Sequence, residues 1–259
     1  MVKLIYHRSA LCDRPSLPRN NILEEWHRGR CTRKQRKVHL KVKPPMNTTL
    51  RNSKSATEAG NSFRSGLAEY VRAQALPVDK LGHQPRLYAL TRLVGQGLAY
   101  DDDVVYAAAW LHDLGVFIGH RPEDPVALSR WDNVAYAMKQ APAALFQAGF
   151  PTTKVADVVE AIRTHQPHMI PSTIEGTILH DADILEQLGA IGILRVAAKI
   201  GRDTRYPTFT DAAATLRKAL AELPGKLHLD AAKTLAGPKI ALLEGFLEGV
   251  DQESHGALY

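Results

Sequence analysis

From Ser53 onward, apolar residues recur every three or four positions in one segment after another, with turn residues between the segments. This period is that of an amphipathic α-helix packed on one face. Runs of alternating polarity, which indicate strands, are scarce. The pattern predicts an all-α domain built as a helical bundle. The predicted helices are 62–75, 84–97, 104–114, 131–147, 152–165, 173–188, 191–200, 210–222 and 230–248.

The positive charge of the chain is concentrated near its N-terminus. Residues 1–45 contain 12 Lys and Arg against 3 Asp and Glu, whereas the other 214 residues contain 21 and 24. We expect residues 1–45 to be a disordered basic extension, or a stretch in front of a true start at Met46, and residues 46–259 to form the helical domain. A basic arm for nucleic acid is the alternative interpretation of residues 1–45, and we do not favour it.

Cysteine content and hydropathy indicate the cellular compartment in which we expect the protein. Cys12 and Cys31 are too few for a disulfide scaffold or a cysteine zinc cluster. No segment approaches the roughly 18 apolar residues that suggest a membrane span. His7 and Arg8 interrupt the short apolar start, which makes a poor secretory signal. We therefore expect a cytoplasmic protein that does not span a membrane.

The pair His112-Asp113, at the end of the apolar segment VVYAAAWLHDLG, carries the clearest chemical signal. A neutral imidazole and a carboxylate together suit a first-row divalent metal ion. His83 opens the preceding predicted helix and is a further candidate ligand. Asp181 and Asp183 lie in the segment HDADILEQLGAIGILR, where burying a carboxylate is costly unless it is paired or bound to metal. Helical phase leaves open which of these two aspartates is the ligand.

These ordered motifs resemble the HD-domain superfamily of metal-dependent phosphohydrolases. The signature of that superfamily is a His, then a His-Asp pair, then a distant Asp, on a bundle of helices. The corresponding segments here are GHQPRLYAL, AAAWLHDLG and DADILEQLGAIGILR. The last one, as DAD-x-L-x-x-LGAIGI-x-R, is similar to a bacterial branch of predicted HD hydrolases. The resemblance extends from about Ser62 to Glu253.

The resemblance implies a set of metal ligands. His83, His112, Asp113 and Asp183 are expected to hold one divalent ion, and Asp181 to orient these ligands through hydrogen bonds. The ligand types suit Mn, Fe, Co, Ni, Zn or Mg. Two-metal HD proteins carry further histidines after the His-Asp pair, and this chain lacks one at the usual spacing. The resemblance therefore implies a single ion.

The resemblance also implies a reaction, in which metal-activated water attacks a phosphorylated small molecule, most favourably a nucleotide. The expected catalytic residues are His112, Asp113 and Asp183. Cationic or imidazole side chains near the metal are expected to bind the substrate. These expected substrate-binding residues are Arg86, Arg195, His120, Arg121 and His165. His180 is expected on the surface of its helix and His228 at the periphery.

Alternative functions and an open question of assembly accompany this interpretation. LAYDDDVVYAAAWLHDLG is also similar to HD hydrolases of the cyanamide-hydratase kind, which do not act on phosphate, and a regulatory module without turnover is a third hypothesis. The chain has no GxxxxGK[ST], no GxGxxG after a strand and no GxSxG, so the metal ion is the one cofactor that we expect. The apolar last helix either closes the bundle or forms a homodimer surface, and we favour closure.

Overall fold

The computed structural model describes residues 56–76, 80–203 and 205–259, and their side chains from Phe63 onward. Helices, short 3₁₀ turns and one isolated bridge between Ile118 and Arg121 make up its regular structure, with no strand in these ranges. The predicted all-α class is therefore confirmed. The basic extension and the boundary between residues 45 and 46 lie outside the described residues.

The described residues form ten α-helices. They are α1 (Ala56–Gln74), α2 (His83–Val94), α3 (Asp102–Leu111), α4 (Pro125–Ser129), α5 (Asn133–Gln147), α6 (Val155–Thr164), α7 (Ile174–Gln187), α8 (Gly189–Ala197), α9 (Phe209–Glu222) and α10 (Asp230–Ser254).

Polar side chains determine where several of these helices begin. Asp101 accepts hydrogen bonds from the first turn of α3, and Asp132 does the same for α5. Thr208 and Asp211 form a reciprocal capping box at the start of α9. The sequence pattern did not predict α4, because none of its residues is buried and no apolar period marks it.

Helix α3 lies at the centre of the bundle. Every residue from Val104 to Leu111 is buried. A helix that is apolar on all sides must be surrounded by other elements, and α3 packs against α1, α2, α6 and α7. Helix α7 in turn packs against α2, α6, α8 and α10. The start of α2, the end of α3 and the middle of α7 are thereby held together.

Helices α8, α9 and α10 form a further layer of the bundle, which packs on α7 through α8 and α10. Leu243 and Leu247 of α10 are buried in this layer, so the helix closes the bundle, whereas Leu242 and Phe246 are exposed. Among the described helices, none combines the length and the apolar character that crossing a bilayer requires.

Candidate metal centre

Three helices bring the four expected ligands, here called the metal cluster (His83, His112, Asp113 and Asp183), to one place. His83 is the first residue of α2, His112 and Asp113 directly follow α3, and Asp183 belongs to α7. His83 Nε2 lies 3.1 Å from His112 Nε2, 3.5 Å from Asp183 Oδ1 and 3.6 Å from Asp113 Oδ2. His112 Nε2 lies 3.7 Å from Asp113 Oδ2. One ligand atom each of His83, His112 and Asp113 lies within 4.8 Å of the other two, so these three side chains face a common centre. Asp183 borders that centre through its contact with His83.

The partners of the other ring nitrogens agree with metal binding at that centre. His112 Nδ1 is 3.1 Å from the carbonyl oxygen of Ala109, to which it donates a hydrogen bond. His83 Nδ1 is 3.3 Å from Glu186 Oε2 and 3.2 Å from Arg195 Nη1, and it donates to Glu186 when it carries the ring proton. Each Nε2 then carries a lone pair, and two lone pairs facing each other are unfavourable without a cation between them. Atoms that bind one ion at about 2.0–2.2 Å are roughly 3–4 Å apart, so the residues fit a divalent cation.

Burial and neighbouring charges put His112 and Asp113 in the protonation states that a metal ion needs. Burial, with the nearby His165 and His83, lowers the pKa of His112 to about 4 against the opposing effect of Asp113. Burial raises the pKa of Asp113, but His112, His83 and Arg195 outweigh it and hold this pKa well below its usual range. The cluster therefore presents a neutral imidazole and a carboxylate at neutral pH.

Glu186 is a residue of this site that the sequence analysis missed. Its side chain is almost fully buried, and it accepts hydrogen bonds from Arg86 Nε at 2.8 Å and from Arg195 Nη1 at 3.0 Å. Burial raises its pKa, but the hydrogen bonds of His83 and Arg86 and the charge of Arg195 bring it to about 2. Its position three residues after Asp183 on α7 was the available signal, since residues at that spacing share a helix face.

Three of the five expected substrate-binding residues border the metal cluster. Arg86 and Arg195 are held there by Glu186, and their side chains remain 43% and 31% exposed. The ring of His165 is buried against that of His112, with centroids 4.9 Å apart. Its Nδ1 donates to the carbonyl oxygen of Ile162 at 2.6 Å.

The other two expected substrate-binding residues are not brought to the metal cluster by any contact in the described part of the chain. His120 Nδ1 is 2.9 Å from the hydroxyl of Tyr136, and its Nε2 is 2.8 Å from Gln74 Oε1. Both ring nitrogens therefore have partners away from the cluster. Arg121 follows in the same turn, where its backbone N–H donates to Phe117. A role of His120 and Arg121 in substrate binding stays a prediction.

Asp181 faces away from the metal cluster. Its carboxylate is fully buried and accepts hydrogen bonds from the backbone N–H groups of His228 at 3.0 Å and Leu229 at 2.7 Å. It also lies 2.9 Å from His180 Nδ1. None of its hydrogen bonds reaches a member of the metal cluster. The expected role of Asp181, to orient the metal ligands through hydrogen bonds, is therefore not supported by any contact among the described residues.

The expectation for His180 was wrong and that for His228 was correct. The side chain of His180 is fully buried, because the start of α10 covers this face of α7, whereas His228 is exposed. The sequence pattern did not reveal this cover, since α10 begins far from α7 along the chain.

One family model and several solved structures are similar to this chain. Residues 81–188 match the family model of the HD domain. Bacillus subtilis YpgQ, solved in complex with ADP, is 22% identical with a TM-score of 0.58, and the match covers 76% of this chain and 98% of that one. Lin1889 from Listeria innocua is 18% identical over the same shares of the two chains, with a TM-score of 0.58.

A similar structure from Bacillus thuringiensis is described as an HD-superfamily hydrolase. It is 20% identical with a TM-score of 0.56, and the match covers 78% of this chain and 100% of that one. No curated protein gives a significant match. At these identities the solved structures show only a shared fold. The family model is separate evidence, because it matches the amino-acid sequence of residues 81–188. Residues 81–188 of this chain therefore match the HD domain in sequence, and the described residues that flank them are helical as well.

Proposed function

We propose that this chain is a metal-dependent hydrolase of phosphoric ester or anhydride bonds, which acts in the cytoplasm on a phosphorylated small molecule. Nucleotides are the substrate class that we favour. The observation that carries the proposal is the juxtaposition of the metal cluster with two partly exposed arginines, Arg86 and Arg195, on one buried carboxylate. The complex of the similar YpgQ structure with ADP gives independent support for a nucleotide.

The metal cluster provides charge and lone pairs for one divalent ion. Asp113 and Asp183 would balance its two positive charges, and the two histidines would bind through Nε2. When bound, such an ion lowers the pKa of water and polarises a phosphoryl oxygen. Glu186 keeps the His83 ring oriented by accepting its Nδ1 proton.

The two arginines provide the attraction for phosphate. Arg86 and Arg195 share the single negative charge of Glu186, so one positive charge remains in excess beside the metal cluster. Guanidinium groups donate several hydrogen bonds in one plane, which matches phosphoryl oxygens. An uncharged substrate, such as that of a hydratase, would not need this excess positive charge. We therefore favour a substrate that carries phosphate.

The test is phosphate release from a panel of phosphoesters and nucleotides, with the full chain loaded in turn with Mn, Co, Ni, Zn or Mg. We expect release with at least one ion, and loss of release in Asp183→Ala. Asp157→Ala is the matched control, since Asp157 is exposed in the first turn of α6. Metal-loaded protein that releases no phosphate from any compound would contradict the proposal and favour a hydratase or a regulatory module.

A further inference from the structure

Positive charge continues beyond Arg195 along the end of α8. Lys199 follows Arg195 by four residues, and the chain keeps a helical course over this stretch. The N–H of Ala198 donates to Leu194, and the N–H of Lys199 donates to Val196. Residues four apart on a helix lie on the same face, about 6 Å apart along its axis. A line of positive charge therefore leads from the metal cluster through Arg195 to Lys199.

Lys199 is a partly buried cation without a carboxylate of its own. Its Nζ lies 5.6 Å from the ring centroid of Tyr206, and among the described residues it forms no ion pair. The neighbouring Arg205 lies over the same ring at 5.4 Å, but Asp203 pairs with it at 2.7 Å. Withdrawing a lysine from water without an anionic partner is costly. The cost is recovered when an anion binds beside it.

The surroundings of Lys199 are themselves positive. Burial, together with the charges of Lys80, Arg205 and Arg195, lowers its pKa to about 8 against the opposing effect of Asp203. Arg195 and Arg205 are near Lys199 in the sequence, whereas Lys80 acts on it from a distant part of the chain. Their repulsion is relieved by a bound anion, which is the usual reason for grouping cations at a phosphate site.

We propose that Lys199, with Arg205 and Lys80 beside it, forms a second anion-binding position that takes a second phosphoryl group of the substrate. The inference rests on the proposed function, in which Arg86 and Arg195 bind the phosphoryl group at the metal cluster. Neighbouring phosphoryl groups of a diphosphate or triphosphate share an oxygen, and the long side chains of Arg195 and Lys199 reach groups so placed. The substrate class is then a compound with two or more linked phosphoryl groups, in preference to a monophosphate.

The test compares the binding of inorganic phosphate and inorganic pyrophosphate to the metal-loaded full chain by titration calorimetry. Lys199→Met removes the charge, Lys199→Arg keeps it, and Lys139→Met is the control at an exposed lysine of α5. In Lys199→Met we expect pyrophosphate to bind about tenfold more weakly and phosphate to bind unchanged. Lys199→Arg and Lys139→Met are expected to bind both anions like the wild type.

The outcomes separate this inference from the proposed function. Suppose that phosphate and pyrophosphate both bind to the wild type, and that Lys199→Met changes neither affinity or weakens both equally. The proposal of a second anion-binding position at Lys199 is then wrong, and the proposed function stands. If neither anion binds to the wild type, both are wrong. Thermal unfolding shows whether Lys199→Met is folded, which we expect because the change removes a charge that burial disfavours.

Discussion

Glu186 joins the metal cluster to the two arginines at its edge, because His83, Arg86 and Arg195 share its two oxygens. One buried carboxylate thereby orients a metal ligand and holds two positive charges near the substrate. A change at this residue is expected to affect metal binding and phosphate binding together.

Glu186→Gln tests this connection. An amide cannot accept as strongly from three donors, so we expect the affinity for a divalent ion to fall about 10- to 100-fold, as is typical for partners of metal-binding histidines. Metal titration by calorimetry measures it, with Glu222→Gln as the control at an exposed glutamate of α9. An unchanged metal affinity in a folded Glu186→Gln protein would mean that Glu186 does not act through His83.

The pKa of Lys199 predicts a pH dependence. Because this pKa lies near 8 in the free protein, below its ordinary value, Lys199 loses its proton as the pH rises above 8. A bound anion favours the protonated form, so pyrophosphate affinity is expected to fall from pH 8 to 10 in the wild type. Lys80, Arg195, Arg205 and Asp203 are the other charged groups that act on Lys199. Pairing between Arg205 and Asp203 raises the pKa of Arg205 and lowers that of Asp203 to about 2, so both stay charged over this range.

Pyrophosphate itself and metal hydrolysis also change with pH. The same titration in Lys199→Arg and Lys199→Met serves as the control, because these two effects are the same in every variant. Arginine does not lose its proton below pH 10, so the fall in affinity is expected to be smaller in that variant. An identical fall in all three proteins would show that Lys199 is not the titrating group.

At the scale of elements, α7 carries carboxylates on two sides with different functions. Asp183 and Glu186 face α2 and the metal cluster, whereas Asp181 accepts from the N–H groups of His228 and Leu229, the two residues before α10. The residue before α10 is Leu229, which provides no side-chain cap. Asp181 therefore supplies from another helix the acceptor that an N-terminal cap normally supplies.

Asp181→Ala is expected to destabilise the protein by about 2–4 kcal/mol, since it leaves two backbone N–H groups and the buried His180 without their acceptor. Urea unfolding measures this loss, and metal titration of the folded variant is expected to match the wild type. A variant of normal stability with weakened metal binding would instead support the orienting role that the sequence analysis assigned to Asp181.

The packing of the helices supplies information that the sequence pattern does not contain, namely which helix covers each face of α7. Periodicity predicted the segments that became α2, α3 and α7, and the motifs they carry placed His83, His112 and Asp113 near one another. Helical phase left Asp181 and Asp183 undecided, because the choice depends on which neighbouring helix covers each face. The covering helix for Asp181 is α10, which begins 49 residues later in the chain.

At the scale of the whole molecule, the helical period was sufficient to predict the all-α class, and the ordered His, His-Asp and Asp motifs were sufficient to indicate an HD domain. The helical period did not reveal Glu186, because glutamates are mostly exposed and nothing in the sequence marked this one as buried. The grouping of Lys80, Lys199 and Arg205 also depends on how the chain folds back, since Lys80 is remote from the other two in sequence.

Metal content, measured by elemental analysis of the purified full chain after metal loading and desalting, tests the central claim most directly. We expect about one divalent ion per chain in the wild type and in Asp157→Ala, and almost none in Asp183→Ala. Thermal unfolding must show that Asp183→Ala is folded. A wild-type protein that binds no divalent ion under any loading condition, or a folded Asp183→Ala that retains the full metal content, would contradict a metal centre at His83, His112, Asp113 and Asp183.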